Sequence, residues 1–230
     1  MGGGYGMYYF IVIAFSVIGM LVSGRLKSKF NKYSKVPLRN NMSGAEIAKQ
    51  MLDYFGIHNV QIQMGKGMLT DHYNPVTRIV NLSPDVYQGR SIASAAVAAH
   101  ECGHAVQHDM HYPFLKLRSN LVPAVKVASM AQQYLLLAAF MFFGSFPQIM
   151  LLPVIAFGIT ALFSFVTLPV EFDASKRALA WLDSSNVLVG EEYNGAKDAL
   201  KWAAMTYVVA ALNALVMFLY FLLKYTGRRG

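Results

Sequence analysis

The sequence contains four segments of mainly apolar residues, each of about the length that a helix needs to cross a lipid bilayer. Roughly 20 such residues span the hydrocarbon core. The segments lie at about 8–23, 127–143, 149–170 and 203–223. The composition agrees, because mean hydropathy is +0.38 and 14% of residues are charged, against about a quarter in soluble domains. We therefore predict a mainly α-helical integral membrane protein with about four transmembrane helices.

Basic residues follow the first apolar segment directly. They are Arg25, Lys27, Lys29, Lys32, Lys35 and Arg39. Lys and Arg are enriched on the cytoplasmic side of membrane helices. With the N-terminus outside, segments 24–118 and 171–202 face the cytoplasm and hold most of the positive charge. This predicts a multi-pass plasma-membrane protein, although Lys224, Arg228 and Arg229 would then lie outside, against the rule.

Several other classes of protein do not fit the sequence. The first apolar segment lacks the preceding basic residues and the cleavage site of a signal peptide. The formal net charge of +8 could suit nucleic acid, but no zinc finger, RNA-binding motif or basic stripe with interleaved aromatic residues is present. Cys102 is the only cysteine, so no intrachain disulfide can form, which suits a reducing compartment.

Residues 36–112 have the pattern of a water-exposed domain. Ser43 and Glu46 form a capping box. Apolar residues then recur at helical spacing, which predicts an amphipathic helix over 44–55. The alanine-rich stretch 91–108 is a second helix by propensity.

Three short runs between these helices have β character. They are 59–63, 68–72 and 78–82, and glycine, asparagine and proline residues separate them as turns. We predict a short antiparallel sheet, with the 78–82 strand at an exposed edge to which an extended substrate could add.

The chain therefore divides into five parts in sequence order. We predict an N-terminal transmembrane anchor, a small α+β domain that carries the alanine-rich helix, a transmembrane helical hairpin, a cytoplasmic segment and a C-terminal transmembrane helix. Their ranges are 1–24, 25–118, 119–170, 171–202 and 203–230.

The alanine-rich helix carries the pentapeptide His100-Glu101-Cys102-Gly103-His104, which has the H-E-x-x-H pattern. Two histidines four residues apart lie on one face of a helix, one turn apart, and can bind one zinc ion. Zinc lowers the pKa of a water molecule, and Glu101 is placed to accept its proton as general base. The alternative is two histidines on an ordinary helix with an accidental glutamate between them.

Other residues near this motif are poorer metal ligands. His108 continues the same face but lies about 12 Å from His100 on a straight helix, too far to share one ion. The metzincin pattern would place a third histidine at position 110, which is Met110. Cys102 lies on another face of the helix and should be a buried small residue.

We expect the third zinc ligand to be Glu171, just past the third apolar segment. Burying a carboxylate there without a partner costs several kcal/mol. The alternative role for Glu171 is an interfacial helix cap, with Pro169 in the first helical turn. As ligands, His100, His104 and Glu171 would leave the fourth position of zinc open, as a catalytic site requires. Asp173 is the nearest acid for a hydrogen bond to a ligand histidine.

Three segments of the chain carry a family resemblance. The segments DHYNP (71–75), LSPDVYQGRSIASAAVAAHECGHAVQH (82–108) and LPVEFDASKRAL (168–179) resemble the YugP-type neutral zinc metallopeptidases of bacterial membranes. The resemblance covers most of the chain. It implies a polytopic bacterial membrane protein with a zincin-like domain and a gluzincin-like site.

More distantly, the chain is similar to the HtpX-type and CAAX-prenyl-protease families. Those families also place a glutamate ligand on a later helix, in an E-x-x-x-D pattern. The position four residues after Glu171 is Ser175, and Asp173 follows it by only two. This departure does not affect Glu171 as a predicted ligand. It does leave the predicted hydrogen bond from Asp173 to a ligand histidine without support from the family pattern.

The function that we predict is hydrolysis of peptide bonds by one zinc ion, with a peptide or a membrane protein as substrate. Tyr193, His72 and Arg177 are candidates for stabilising the oxyanion, and the sequence does not separate them. A zinc-binding membrane scaffold or regulator without turnover is the alternative. Glu101 argues against it, because a structural zinc site needs no base. A metal transporter is disfavoured because the apolar segments lack acids and histidines.

Overall fold

The computed structural model describes residues 3–67, 70–142 and 147–227. Within these ranges the chain forms seven α-helices, three strands and a 3₁₀ turn at Pro147–Met150. The helices are α1 (Gly3–Tyr33), α2 (Gly44–Tyr54), α3 (Pro84–Tyr87), α4 (Ile92–Asp109), α5 (Pro113–Phe142), α6 (Leu151–Ser184) and α7 (Glu191–Thr226). The strands are β1 (Gln61–Met64), β2 (His72–Asn74) and β3 (Ile79–Leu82). Part of the predicted 68–72 strand, and Arg228 and Arg229, lie outside the described residues.

Four of the described helices are long and apolar enough to cross a membrane. These candidate spans are Gly6–Tyr33, Pro113–Ala138, Gln148–Ser184 and Glu191–Thr226. They overlap the four apolar segments of the sequence. The predicted mainly helical fold, with about four membrane helices and a small sheet, is therefore confirmed.

Helix α6 is longer than a bilayer crossing requires. Its 34 residues correspond to about 51 Å, against a hydrocarbon core of about 30 Å. Pro169 lies inside this helix and does not begin a new one. Glu171 is therefore a residue of a continuous helix, and its alternative role as a helix cap is wrong.

The chain forms two compact units. The first comprises Met1–Leu21, Leu117–Leu168 and Thr206–Gly230. Its buried core contains Met150, Val154, Phe157, Met217 and Phe221. The rings of Phe157 and Phe221 stack with centroids 5.1 Å apart. Most other apolar side chains of its helices are partly or fully exposed, as is expected for surfaces that face lipid.

The second unit comprises Val22–Lys116 and Pro169–Met205. Helix α4 lies in its core, where small residues allow neighbouring helices to approach closely. Its fully or almost fully buried members include Ala95, Ala98, Ala99, Cys102 and Ala105. Helix α2 packs on α4. The predicted capping box is confirmed, because Ser43 N–H donates to Glu46 Oε2 at 2.6 Å and Glu46 N–H donates to Ser43 Oγ at 3.2 Å.

The sheet of this unit is mixed, so the prediction of a wholly antiparallel sheet is wrong. Its strand order is β1-β3-β2, with β1 parallel and β2 antiparallel to β3. The short turn 75–78, in which Arg78 has φ 54°, joins β2 and β3 as a hairpin. Strands β1 and β2 pair with opposite sides of β3. The 78–82 strand is therefore central, and its predicted exposed edge does not exist.

Candidate metal centre

Helix α4 places the two histidines of the pentapeptide on one face. Ser91 caps the helix, since its hydroxyl accepts from the Ser94 backbone N–H at 3.2 Å. The rings of His100 and His104 stand edge to face with centroids 4.8 Å apart. Their side chains are 14% and 10% exposed. Both imidazoles are thus largely buried while remaining open on one side.

Helix α6 brings a carboxylate to the same point. Glu171 Oε2 lies 3.3 Å from His100 Nε2 and 3.7 Å from His104 Nε2. Its side chain is only 2% exposed. The three side chains form a group whose ligand atoms all lie within 4.8 Å of one another. In the part of the chain that the structure describes, no other His, Cys, Asp or Glu group has this property.

These distances can be compared with the geometry of a metal site. Ligands about 2.1 Å from a tetrahedral zinc ion lie about 3.4 Å from one another. The two nitrogen–oxygen distances of 3.3 and 3.7 Å lie close to that value. Two imidazole nitrogens and one carboxylate oxygen are also the donor set of open zinc sites with three protein ligands. The residues present therefore fit a zinc ion.

Glu101 lies beside this group on α4 and is itself 7% exposed. Burial raises its pKa from 4.5 to about 7. His100 and a hydrogen bond from the Tyr73 backbone N–H lower this pKa, while Glu171 and Asp71 raise it. Glu101 can therefore exchange a proton near neutral pH.

The other ring nitrogen of each histidine also has a partner. His100 Nδ1 lies 3.1 Å from the Ser175 hydroxyl, which occupies the position of the aspartate in the E-x-x-x-D pattern. His104 Nδ1 lies 3.0 Å from Gln107 Oε1. Gln107 is not among the site residues predicted from the sequence. Its position three residues after His104 could have indicated this contact, because side chains three residues apart are neighbours on a helix.

Asp173 is connected to His104 only indirectly, through hydrogen bonds of the Gln107 amide. Its Oδ2 accepts from Gln107 Nε2 at 2.8 Å and from Arg177 Nε at 2.5 Å. The sequence predicts a direct hydrogen bond from Asp173 to one of the two histidines, and this bond is not present among the described residues. Asp173 instead holds the amide that contacts His104.

His108 and Cys102 both lie away from the ligand group. His108 Nδ1 lies 2.7 Å from the Tyr73 hydroxyl, and burial lowers its pKa, with Arg78 adding to the effect. Cys102 is fully buried and contacts the Ala48 carbonyl oxygen at 3.6 Å. Burial raises the pKa of its thiol, which makes it a poor nucleophile.

The three candidates for oxyanion stabilisation have different surroundings. Arg177 is engaged with Asp173 and lies over the Tyr112 ring, 5.9 Å from its centroid. Tyr193 packs against the hydrophobic core. His72 is exposed on β2, and its Nδ1 lies 2.8 Å from the Thr70 carbonyl oxygen. His72 is thus the one whose side chain is most accessible to solvent.

Comparisons with known proteins agree with this geometry. Residues 8–226 match the model of a family described as "Putative neutral zinc metallopeptidase". The chain is 40% identical over 223 residues to a Bacillus subtilis (strain 168) protein named "Putative membrane protease YugP". That alignment covers 97% of this chain and 98% of the relative. No solved structure matches the chain. The chain therefore belongs to this neutral zinc metallopeptidase family, that of the YugP-type membrane proteins.

Proposed function

We propose that this protein is a membrane-embedded, gluzincin-like zinc endopeptidase that holds one zinc ion with His100, His104 and Glu171. The observation that carries the proposal is the meeting of three donor atoms from α4 and α6 at 3.3 and 3.7 Å, beside a buried carboxyl group. The family membership and the donor set both favour zinc. A purely structural zinc site would need no acid at position 101.

In this proposal Glu101 performs the proton transfers. A zinc ion at this site would polarise the scissile carbonyl and acidify the attacking water. The Glu101 carboxylate takes the proton of that water and then donates it to the leaving amine. Its pKa of about 7 in the metal-free chain suits a group that both accepts and donates a proton.

Strand β2 is the part of the sheet where we propose that an extended substrate adds. It is an edge strand in the order β1-β3-β2, and it contacts α4. The backbone N–H of Tyr73 on this strand donates to Glu101. A peptide paired with β2 would run beside the proton-transfer group.

The experiment compares the purified protein with three variants, by metal analysis and by mass spectrometry of a peptide library and of native membranes. We expect Glu101→Gln to retain zinc and lose cleavage by about a hundredfold or more. Glu171→Ala should lose zinc. Glu191→Gln, an exposed acid at the start of α7, should resemble the wild type.

The results separate the protease from the alternative, a zinc-binding scaffold or regulator. If the wild type and Glu101→Gln both hold zinc and neither cleaves any substrate, the scaffold is correct. If Glu171→Ala retains zinc at full affinity, Glu171 is not a ligand.

We also propose that the site faces the cytoplasm, in a multi-pass protein of the plasma membrane. The basic residues that follow the first apolar segment support this orientation. A Lys27→Cys variant tests it, because Lys27 is exposed whereas the native Cys102 is buried. A membrane-impermeant thiol reagent should label this variant in inverted vesicles and not in right-side-out vesicles. The reverse pattern would show the opposite orientation.

A further inference from the structure

Gln107 is a fully buried polar side chain that joins α4 to α6. Its Oε1 lies 3.0 Å from His104 Nδ1. Its Nε2 donates to the Val170 carbonyl oxygen and to Asp173 Oδ2, each at 2.8 Å. Every hydrogen-bonding group of this amide is therefore oriented by a specific neighbour.

The partners on α6 determine which way the amide faces. The Val170 carbonyl can only accept hydrogen bonds. Asp173 Oδ2 also accepts a hydrogen bond from Arg177 Nε at 2.5 Å. A guanidinium only donates, so this oxygen acts as an acceptor. Both protons of the Gln107 amide must therefore point toward α6. Its carbonyl oxygen is left to face His104.

This orientation in turn determines the tautomer of His104. The Gln107 carbonyl oxygen can only accept, so His104 Nδ1 must carry the proton. A neutral imidazole with its proton on Nδ1 has its lone pair on Nε2. That nitrogen is the one 3.7 Å from Glu171 Oε2.

His100 has no comparable constraint. Its Nδ1 faces the Ser175 hydroxyl, which can donate or accept a hydrogen bond. Of the two histidines, His104 is therefore the one whose tautomer its surroundings dictate.

We propose that Gln107 is the positioning residue that holds His104 in its metal-binding tautomer and orientation, with Asp173 and Arg177 acting through it. This inference rests on the proposed zinc function for its consequence, but the tautomer itself is a property of the metal-free protein. Loss of such a partner typically weakens metal affinity by about 10- to 100-fold.

The test compares the wild type with Gln107→Met, which has a similar volume but neither a carbonyl nor an amide. Exposed Gln63 on β1 provides the matched control, Gln63→Met. The first measurement is ¹⁵N NMR of ring-labelled histidine in the metal-free protein. The second is zinc affinity by competition with a chelator. Thermal unfolding shows whether each variant is folded.

We expect metal-free wild type to show His104 protonated on Nδ1, and Gln107→Met to show a mixture with Nε2 protonation. The zinc Kd of Gln107→Met should rise about 10- to 100-fold, and that of Gln63→Met should not change. An unchanged tautomer and an unchanged zinc Kd in a folded Gln107→Met would overturn the proposal.

The wild type decides the question even if Gln107→Met does not fold. A metal-free wild type in which His104 carries a proton on Nε2 and none on Nδ1 would by itself refute the role of Gln107. A wild type with the expected tautomer that binds no zinc would instead refute the proposed function and leave the positioning role intact.

Discussion

Gly103 of α4 lies so close to Ala174 of α6 that a Cβ atom on the glycine would be 2.6 Å from the Ala174 carbonyl oxygen. Real Cβ atoms do not approach a backbone oxygen so closely, so only glycine permits this contact. Gly103 lies between the two histidines, and Ala174 is three residues from Glu171. The contact therefore brings the candidate zinc ligands of the two helices together.

Gly103→Ala should separate α4 and α6 at this point. We expect it to destabilise the protein by about 1–3 kcal/mol, the typical cost of overpacking, and to reduce bound zinc. Thermal unfolding in detergent and metal analysis measure the two effects. Gly24→Ala is the control, since a Cβ there would meet nothing within 4 Å. If Gly103→Ala behaves like Gly24→Ala, the close approach is unimportant.

The stability of the metal-free protein should depend on pH through Glu101. Its pKa is about 7 in the folded chain, against an ordinary value of 4.5, so the folded state favours the neutral acid. The contribution of protonated Glu101 to the free energy of unfolding is fully present below pH 4.5 and is lost as the pH rises through 7. The difference corresponds to on the order of 3 kcal/mol.

Glu101→Gln provides the comparison for this pH dependence, because glutamine stays neutral. Thermal unfolding of both metal-free proteins at pH 5 and pH 8 measures it. We expect the wild type to lose more stability than Glu101→Gln over this range. Equal losses would mean that Glu101 is ionised throughout.

Position 175 should tune the affinity of the site through His100. Ser175→Ala removes the hydrogen bond at His100 Nδ1 and should weaken zinc binding by a few-fold. Ser175→Asp should strengthen binding, because a carboxylate at Nδ1 makes the imidazole a better ligand. Chelator competition gives both values. Weaker binding by Ser175→Asp than by Ser175→Ala would contradict this role.

The rate at which Cys102 is alkylated should measure how often the packing around α4 opens to solvent. Burial raises the pKa of the Cys102 thiol, so iodoacetamide should modify it only in molecules that unfold locally or globally. Mass spectrometry of the intact protein follows the reaction. Added zinc should slow it further, since binding stabilises the folded state. Rapid alkylation of the folded, zinc-loaded protein would show that the core around Cys102 is open.

Local patterns in the sequence were sufficient for much of the fold. The four membrane helices follow from long apolar runs, and α2 follows from the Ser43–Glu46 capping box. These features depend on residues a few positions apart, whose geometry a helix dictates. The strand order was predicted wrongly because neighbours along the chain need not be neighbours in a sheet, and here β3 lies between β1 and β2. The local β pattern of 78–82 is the same for an edge strand and a central strand.

The sequence by itself determined that His100 and His104 share a helix face and that Glu101 stands beside them, because helical periodicity sets those positions. Only the tertiary structure decided that Glu171 reaches both imidazoles and that Gln107, not Asp173, contacts His104. These relations depend on the distance between α4 and α6, which the packing of Gly103 against Ala174 permits. No spacing along the chain encodes that distance.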